Sequence, residues 1–185
     1  MKVLFGEYTY AEVTYEEVQA VFKTKRSEVF SEEFTIETEL FLTERENTFY
    51  KTLPKNEIYR LYILVYKNNE PIGWHIGFQK FDTFYMMNTG VFQEHQGKGI
   101  YKKLLQEIIH IVEGKGFLSI TSRHIMSNNK VIVPKLKTGF LICGFEIEER
   151  FGTLVNLKYF FNQEIKNVYL MRTGTLKPTK KMLNK

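Results

Sequence analysis

Three apolar runs follow one another between residues 59 and 92 with almost nothing separating them, and this spacing restricts the fold more than any other feature of the chain. The run at 59–66 is rich in β-branched and aromatic residues and ends at the turn Lys67-Asn68-Asn69-Glu70-Pro71. The run at 72–81 puts Trp74, Ile76 and Phe78 on one face, and Asp82-Thr83 then leads directly into the run at 84–92. Connections this short cannot hold a crossover helix, so the three strands are expected to pair as an antiparallel meander. A doubly wound parallel sheet does not fit.

The hydrophobic period changes after Phe92. From about residue 99 to 114, Tyr101, Leu104, Leu105, Ile108 and Val112 recur at helical spacing, and Gly114 and Gly116 stop the helix. A strand at 117–121 follows, and the crossover helix makes it parallel to an earlier strand of the same sheet. Residues 129–137 read as a short helix that Pro134 would shorten or kink, and 140–148 with 152–161 read as a late hairpin. Upstream, Thr14 and Glu17 form a capping box ahead of Val18, Val21 and Phe22, which predicts a first helix; a second is expected at 31–51. The fold expected is one α/β (α+β) domain over residues 1–185, a single mixed, mostly antiparallel sheet with flanking helices. Its core spans about 58–161, after a helical segment at 1–57 and before a basic tail at 175–185.

With 43% hydrophobic and 15% aromatic residues, the chain has ample material for a packed core and is not a disordered polymer. Its single cysteine, Cys143, cannot build a disulfide framework, and its apolar neighbours predict a buried, unreactive thiol. The apolar run after Lys2 covers only residues 3–5, too short for a signal-peptide core, and no stretch approaches the length of a membrane span. A cytoplasmic protein with no membrane partner is expected. The net charge of +5 favours anionic partners, but Lys177, Lys180, Lys181 and Lys185 read as a solvated tail. No basic run is interleaved with aromatics, so nucleic acid is not expected, and no His/Cys/Asp cluster has metal-ligand spacing. Salt-sensitive nucleic-acid binding through the tail stands as a rival reading.

The richest stretch chemically is Val91-Phe92-Gln93-Glu94-His95-Gln96-Gly97-Lys98-Gly99-Ile100-Tyr101. Two glycines flank a lysine between an apolar strand and an amphipathic helix. Glycine permits close backbone approach, so successive N–H groups can converge on one anion, and the helix start adds its own unpaired donors. Lys98, Lys102 and Lys103 add charge. Such a site suits a pyrophosphate. It is neither a P-loop nor a dinucleotide fingerprint, for it lacks the G-K-[ST] ending and the third glycine.

Here the chain resembles the GNAT superfamily of acetyl-CoA-dependent N-acetyltransferases. The family signature [QR]-x-x-G-x-[GA] meets Gln96-Gly97-Lys98-Gly99-Ile100-Tyr101, which departs only at Tyr101. A second likeness runs from Asn128 through Val131 and Lys135 to Gly139-Phe140, against the pattern N-x-x-A-x-x-L-Y-E-K-x-G-F. The resemblance implies acetyl-CoA as cosubstrate and a primary amine, small molecule or peptide, as acceptor. It implies cofactor contacts at Thr89, Gly90, Val91, Phe92, Gln96, Gly97, Lys98, Gly99, Ile100, Tyr101 and Asn128. It implies a strand bulge that frees a backbone N–H for the thioester oxygen, for which Gly90 is the candidate, unless that glycine only makes room for a bulky neighbour.

The catalytic side chains are less legible. Lys135 stands where family members place the tyrosine that protonates the leaving thiolate; it reads first as a surface residue and second as a proton donor, with Ser127, water or another tyrosine as substitutes. His124, expected just after the fifth strand, is the candidate base or an idle loop residue, and His75 could line the acceptor cleft. His95 and His110 read as turn and helix-surface residues, and Glu94 lies beside the phosphate loop, too far from the acetyl carbon. Glu32, Glu33, Glu37 and Glu39 would attract a cationic amine or simply form a solvated helix face. A non-catalytic acyl-CoA sensor of the same fold is the alternative, and either a monomer or a homodimer is compatible with the chain.

Overall fold

The computed structural model describes residues 1–30, 44 and 58–177. One eight-stranded sheet runs through it in the order β1-β2-β3-β4-β5-β6-β8-β7. The strands are β1 Lys2–Phe5, β2 Tyr8–Glu12, β3 Arg60–Lys67, β4 Glu70–Lys80, β5 Thr83–Val91, β6 Ser119–Ile125, β7 Leu141–Glu148 and β8 Gly152–Phe160. The helices are α1 Tyr15–Val29, α2 Ile100–Gly114, α3 Asn129–Thr138 and α4 Gln163–Arg172. The expected meander is present as β3, β4 and β5, each antiparallel to the next. Among the described strands only β5 and β6 pair in parallel, joined by α2 as the crossover.

The N-terminal segment is not purely helical, as its sequence suggested. It opens with the β1–β2 hairpin, and β2 extends the sheet by pairing with β3. Tyr8 and Tyr10 turn inward at a period of two, but β1 and β2 are too short for alternation to stand out. The second helix expected at 31–51 lies outside the described residues apart from Glu44, as does most of the basic tail. The capping box forms as expected: the Glu17 N–H donates to Thr14 Oγ1 at 3.3 Å and the Thr14 N–H to Glu17 Oε2 at 2.8 Å. α3 runs on through Pro134 without being shortened. α4 was not foreseen; Asn162 caps it, its Oδ1 accepting from the N–H groups of Glu164 and Ile165.

The sheet is packed on both faces. On one, Ile100, Leu104, Leu105, Ile108 and Val112 of α2 bury against Ile63, Val65, Phe84 and Ile120, with Ile132 of α3 in the same cluster. On the other, Val18 of α1 packs on Leu64, Trp74, Ile76 and Phe92. Trp74 is fully buried, and its Nε1 donates to Asn88 Oδ1 at 2.8 Å. Directly opposite Trp74 in the β4–β5 register is Gly90, where a Cβ would lie 2.6 Å from the indole ring. Gly90 therefore makes room for a bulky neighbour, and the bulge lies elsewhere: Ile76 pairs with Asn88 but Gly77 with Met86, so Met87 is the extra residue of β5. We expect Gly90→Ala to destabilise the fold by about 1–3 kcal/mol through overpacking against Trp74, measured as a lower urea midpoint with an unchanged slope.

Candidate active site

β5 and β6 pair only at residues 83–85 with 119–121. Beyond that point β5 stays with β4 out to Val91, and β6 stays with β8 out to Ile125. The two strands diverge and leave a cleft through the sheet. On the α2/α3 face its lining includes Met86, Thr89, Tyr101, Asn128, Val131 and Lys135. On the α1 face it includes Arg26, Phe30, Tyr85 and Arg123, with Phe151 from the β7–β8 turn.

The glycine loop sits at the end of β5. A short 3₁₀ turn at Gln93–His95 leads to Gln96, whose Nε2 donates to the Val91 carbonyl at 3.0 Å and ties the loop back to its strand. Gly97 and Gly99 have φ of 75° and 81°, a left-handed backbone that costs other residues about 1–2 kcal/mol. Gly99 is the N-cap of α2 and offers no side-chain cap, and the first turn of α2 carries no acidic residue. The N–H groups at this helix start have no side-chain cap and the exposed Lys98 lies beside them, an arrangement that suits an anion.

The expectation of a surface Lys135 is corrected. Its side chain leaves α3 inward and is only 1% exposed. The ammonium donates to Ser122 Oγ at 2.8 Å and approaches Met86 Sδ at 3.4 Å, with the Phe140 ring 5.0 Å away. It thus bridges both walls of the cleft, β6 through Ser122 and β5 through Met86. Burial without a carboxylate partner pushes Lys135 down to about 7. Ile132, one turn before it and also buried, was the available signal, since residues three apart share a face of α3.

His124 lies within β6, not in the loop after it, and its Nε2 sits 3.1 Å from Ser122 Oγ. Burial first, and the Lys135 charge second, hold His124 well below its ordinary value. His75 is a fully buried residue of the sheet, not part of an open acceptor cleft. Its Nδ1 is 2.8 Å from Thr89 Oγ1, and burial with the nearby Lys135 charge lowers it to about 3. Ser122, 1% exposed, is the residue that sequence reasoning passed over; its alternation with His124 and Ile120 along β6 was the available signal.

Tyr101, the departure from the family signature, points inward. Its hydroxyl is buried with no hydrogen-bond partner among the described residues, and the residue lines the cleft. Such an orphan in a cleft awaits a ligand or water, and burial raises its pKa. Asn128 lines the same cleft as the N-cap of α3. Cys143 is also corrected: it is an exposed thiol at the bulge of the edge strand β7, remote from the cleft lining. His95 lies in the turn and His110 is exposed on α2, as expected. Among the described residues no group of three His, Cys, Asp or Glu could hold a metal, and no helix is long and apolar enough to cross a membrane.

Comparison with known proteins places this geometry. The Acetyltransferase (GNAT) family model matches residues 24–140. No curated protein matches the chain. Among solved structures, the ribosomal-protein-S18-alanine N-acetyltransferase from Escherichia coli is 14% identical, with a TM-score of 0.63 over 84% of this chain and 94% of that one. An IAA acetyltransferase from Bacillus cereus ATCC 14579 is 17% identical, with a TM-score of 0.61 over 83% of this chain and 99% of that one. A GNAT family acetyltransferase from Elizabethkingia anophelis with acetyl-CoA bound is 17% identical, with a TM-score of 0.57 over 85% of this chain and 100% of that one. At these identities the structures speak for the fold, while the family model spans well over half of the chain and includes the glycine loop. The chain therefore belongs to the GNAT family of acetyltransferases and is an acetyl-CoA-dependent acyltransferase.

Proposed function

We propose that the chain acetylates a primary amine, on a small molecule or a peptide, by direct attack while both substrates are bound. The observation that carries this reading is the buried Lys135 ammonium held between the diverging strands by Ser122 and Met86. Bound acetyl-CoA supplies an acyl thioester whose acetyl group the amine accepts: a C–N bond forms and a C–S bond breaks. The residues that would hold it are the loop Gln96, Gly97, Lys98 and Gly99 with Ile100 for the pyrophosphate. Thr89, Gly90, Val91 and Phe92 would serve along the freed edge of β5, with Asn128 and the Tyr101 hydroxyl as polar partners in the cleft. The protein's fit to the group rests on the unfilled helix start, the open strand edge and that orphaned hydroxyl.

Met87, as the extra residue of β5, takes backbone groups out of the ladder and makes them available to a developing negative charge on oxygen. Lys135 holds a proton at Nζ for the departing sulfur. A pKa of about 7 is well suited to that task, since the group gives up its proton readily at neutral pH and regains it from solvent. Ser122 accepts from Nζ and fixes its direction. His124, kept neutral by its surroundings, supports the Ser122 hydroxyl and is a poor base for the amine.

Calorimetry tests the cofactor site. Wild type should bind acetyl-CoA, and Gly97→Glu and Gly99→Glu should each weaken binding at least about tenfold, roughly 1.4 kcal/mol; no binding by wild type would sink the reading. For the proton donor, thiol release against an amine panel should show kcat falling about 10²- to 10⁴-fold in Lys135→Met, with little change in acetyl-CoA affinity. Binding without thiol release from any amine would instead favour a sensor.

Stability reports the same lysine independently. Because the folded-state pKa lies below the ordinary value of 10.5, the unfolded chain binds more protons between about 7 and 10.5. Stability should therefore rise with pH through that window. Urea denaturation at pH 7 and pH 9 should show a smaller rise in Lys135→Met than in wild type, and the variant should be no less stable at pH 7.

A further inference from the structure

The cleft opens on both faces of the sheet, and the lining of the mouth on the α1 face bears on the acceptor. The glycine loop, α2 and α3 lie on one face of the sheet, so the cofactor reaches the gap from there. The other face is that of α1, and its mouth is framed by Arg26 in the last turn of α1, Phe30 at its C-cap, Tyr85 and Arg123 on the strands, and Phe151. Arg123 is partly satisfied: its Nε donates to the Tyr85 hydroxyl at 3.2 Å and its Nη1 to Glu146. Arg26 lies over the Phe22 ring at 5.9 Å, and no carboxylate among the described residues pairs with it. Among the described residues that line the cleft, none is Asp or Glu.

We infer that the acceptor is an amine bearing an anionic group, a carboxylate or a phosphate, and that Arg26 receives that group. This rests on the acetyltransferase reading above and names the substrate class for the same site. Three physical arguments converge. A guanidinium with no carboxylate partner among the described residues matches a carboxylate or phosphate edge in a bidentate fork, and such charge-assisted bonds orient as well as bind. A cationic mouth repels a protonated polyamine. The same positive surroundings lower the pKa of an amine that enters, which favours the neutral nucleophile and lightens the need for a base. Phe30 and Phe151 supply apolar walls for the body of the molecule. The opposite expectation, a cationic acceptor, depended on Glu32, Glu33, Glu37 and Glu39, which lie outside the described residues.

Matched pairs test this, because the members of each differ chiefly in the anion. Thiol release would be compared for phenylalanine against phenethylamine, phosphoethanolamine against ethanolamine, and spermidine as the cationic reference. Binding of N-acetylphenylalanine and N-acetylphenethylamine would be measured by calorimetry, which needs no turnover. We expect the anionic member of at least one pair to lead by about tenfold or more in kcat/KM. Which pair shows the effect separates carboxylate from phosphate. Arg26→Gln should erase that lead by raising KM for the anionic member far more than for the member without the anion, and Arg26→Lys should keep part of it. Equal use within both pairs, a preference for spermidine, or a lead that survives Arg26→Gln overturns the anion reading and leaves the acetyltransferase reading standing. If no amine releases thiol, that broader reading fails, and equal calorimetric affinity for the two acetylated compounds then overturns the anion reading too.

Discussion

β5 and β6 each have a second neighbour that holds them by more hydrogen bonds than they share with one another. β5 is laced to β4 along its length, and β6 to β8 along all seven of its residues, whereas the parallel ladder between them ends at Tyr85 and Thr121. The Met87 bulge adds local twist to β5 soon after that ladder ends. Two half-sheets are thereby allowed to part. The divergence exposes an edge of β5 in the middle of the protein, opens a passage from the α2 face to the α1 face, and positions the glycine loop at one end of it.

An open seam in a hydrophobic core needs polar lining, and here that lining is costly to stability. Lys135 is buried without a countercharge, His75 and Tyr101 each leave one buried polar atom without a partner among the described residues, and Ser122 is shared by Lys135 and His124. Buried polar groups of this kind disfavour folding by roughly 1–3 kcal/mol each when unsatisfied. The rest of the sheet offsets the cost through the two clusters on its faces, centred on α2 and on Trp74. Polar side chains line the seam while the flanks pack tightly on apolar clusters.

Much of the fold was legible before any coordinates. The meander followed from turn length alone, α2 from its apolar stripe, the start of α1 from the Thr14–Glu17 pair, and the late hairpin from its two apolar runs. The β1–β2 hairpin escaped because strands of four and five residues carry too little alternation. The identity of the bulge escaped for a different reason. Gly90 looked like the irregular residue, yet its lack of a side chain serves Trp74 on the neighbouring strand, and the irregularity falls on Met87, which nothing in its side chain announces. Cys143 misled in the opposite sense: its apolar neighbours belong to the last strand of the described sheet, much of which is exposed.

The sequence by itself determined the backbone of the glycine loop, since left-handed residues at Gly97 and Gly99 and a helix start with no side-chain cap are local properties that a few adjacent residues dictate. It also determined the family, because the glycine loop and the Asn128-to-Phe140 motif keep their spacing along the chain. Only the tertiary structure decided what Lys135 is. Whether a lysine on a short helix faces water or the core depends on which strands the helix covers and whether they have parted. That is set by ladders between residues far apart in sequence. The same holds for Arg26 and Arg123, nearly a hundred positions apart, which meet at one mouth because α1 and β6 flank the same gap. Local backbone chemistry can be read along the chain, but burial and charge environment are sums over neighbours that only the folded sheet brings together.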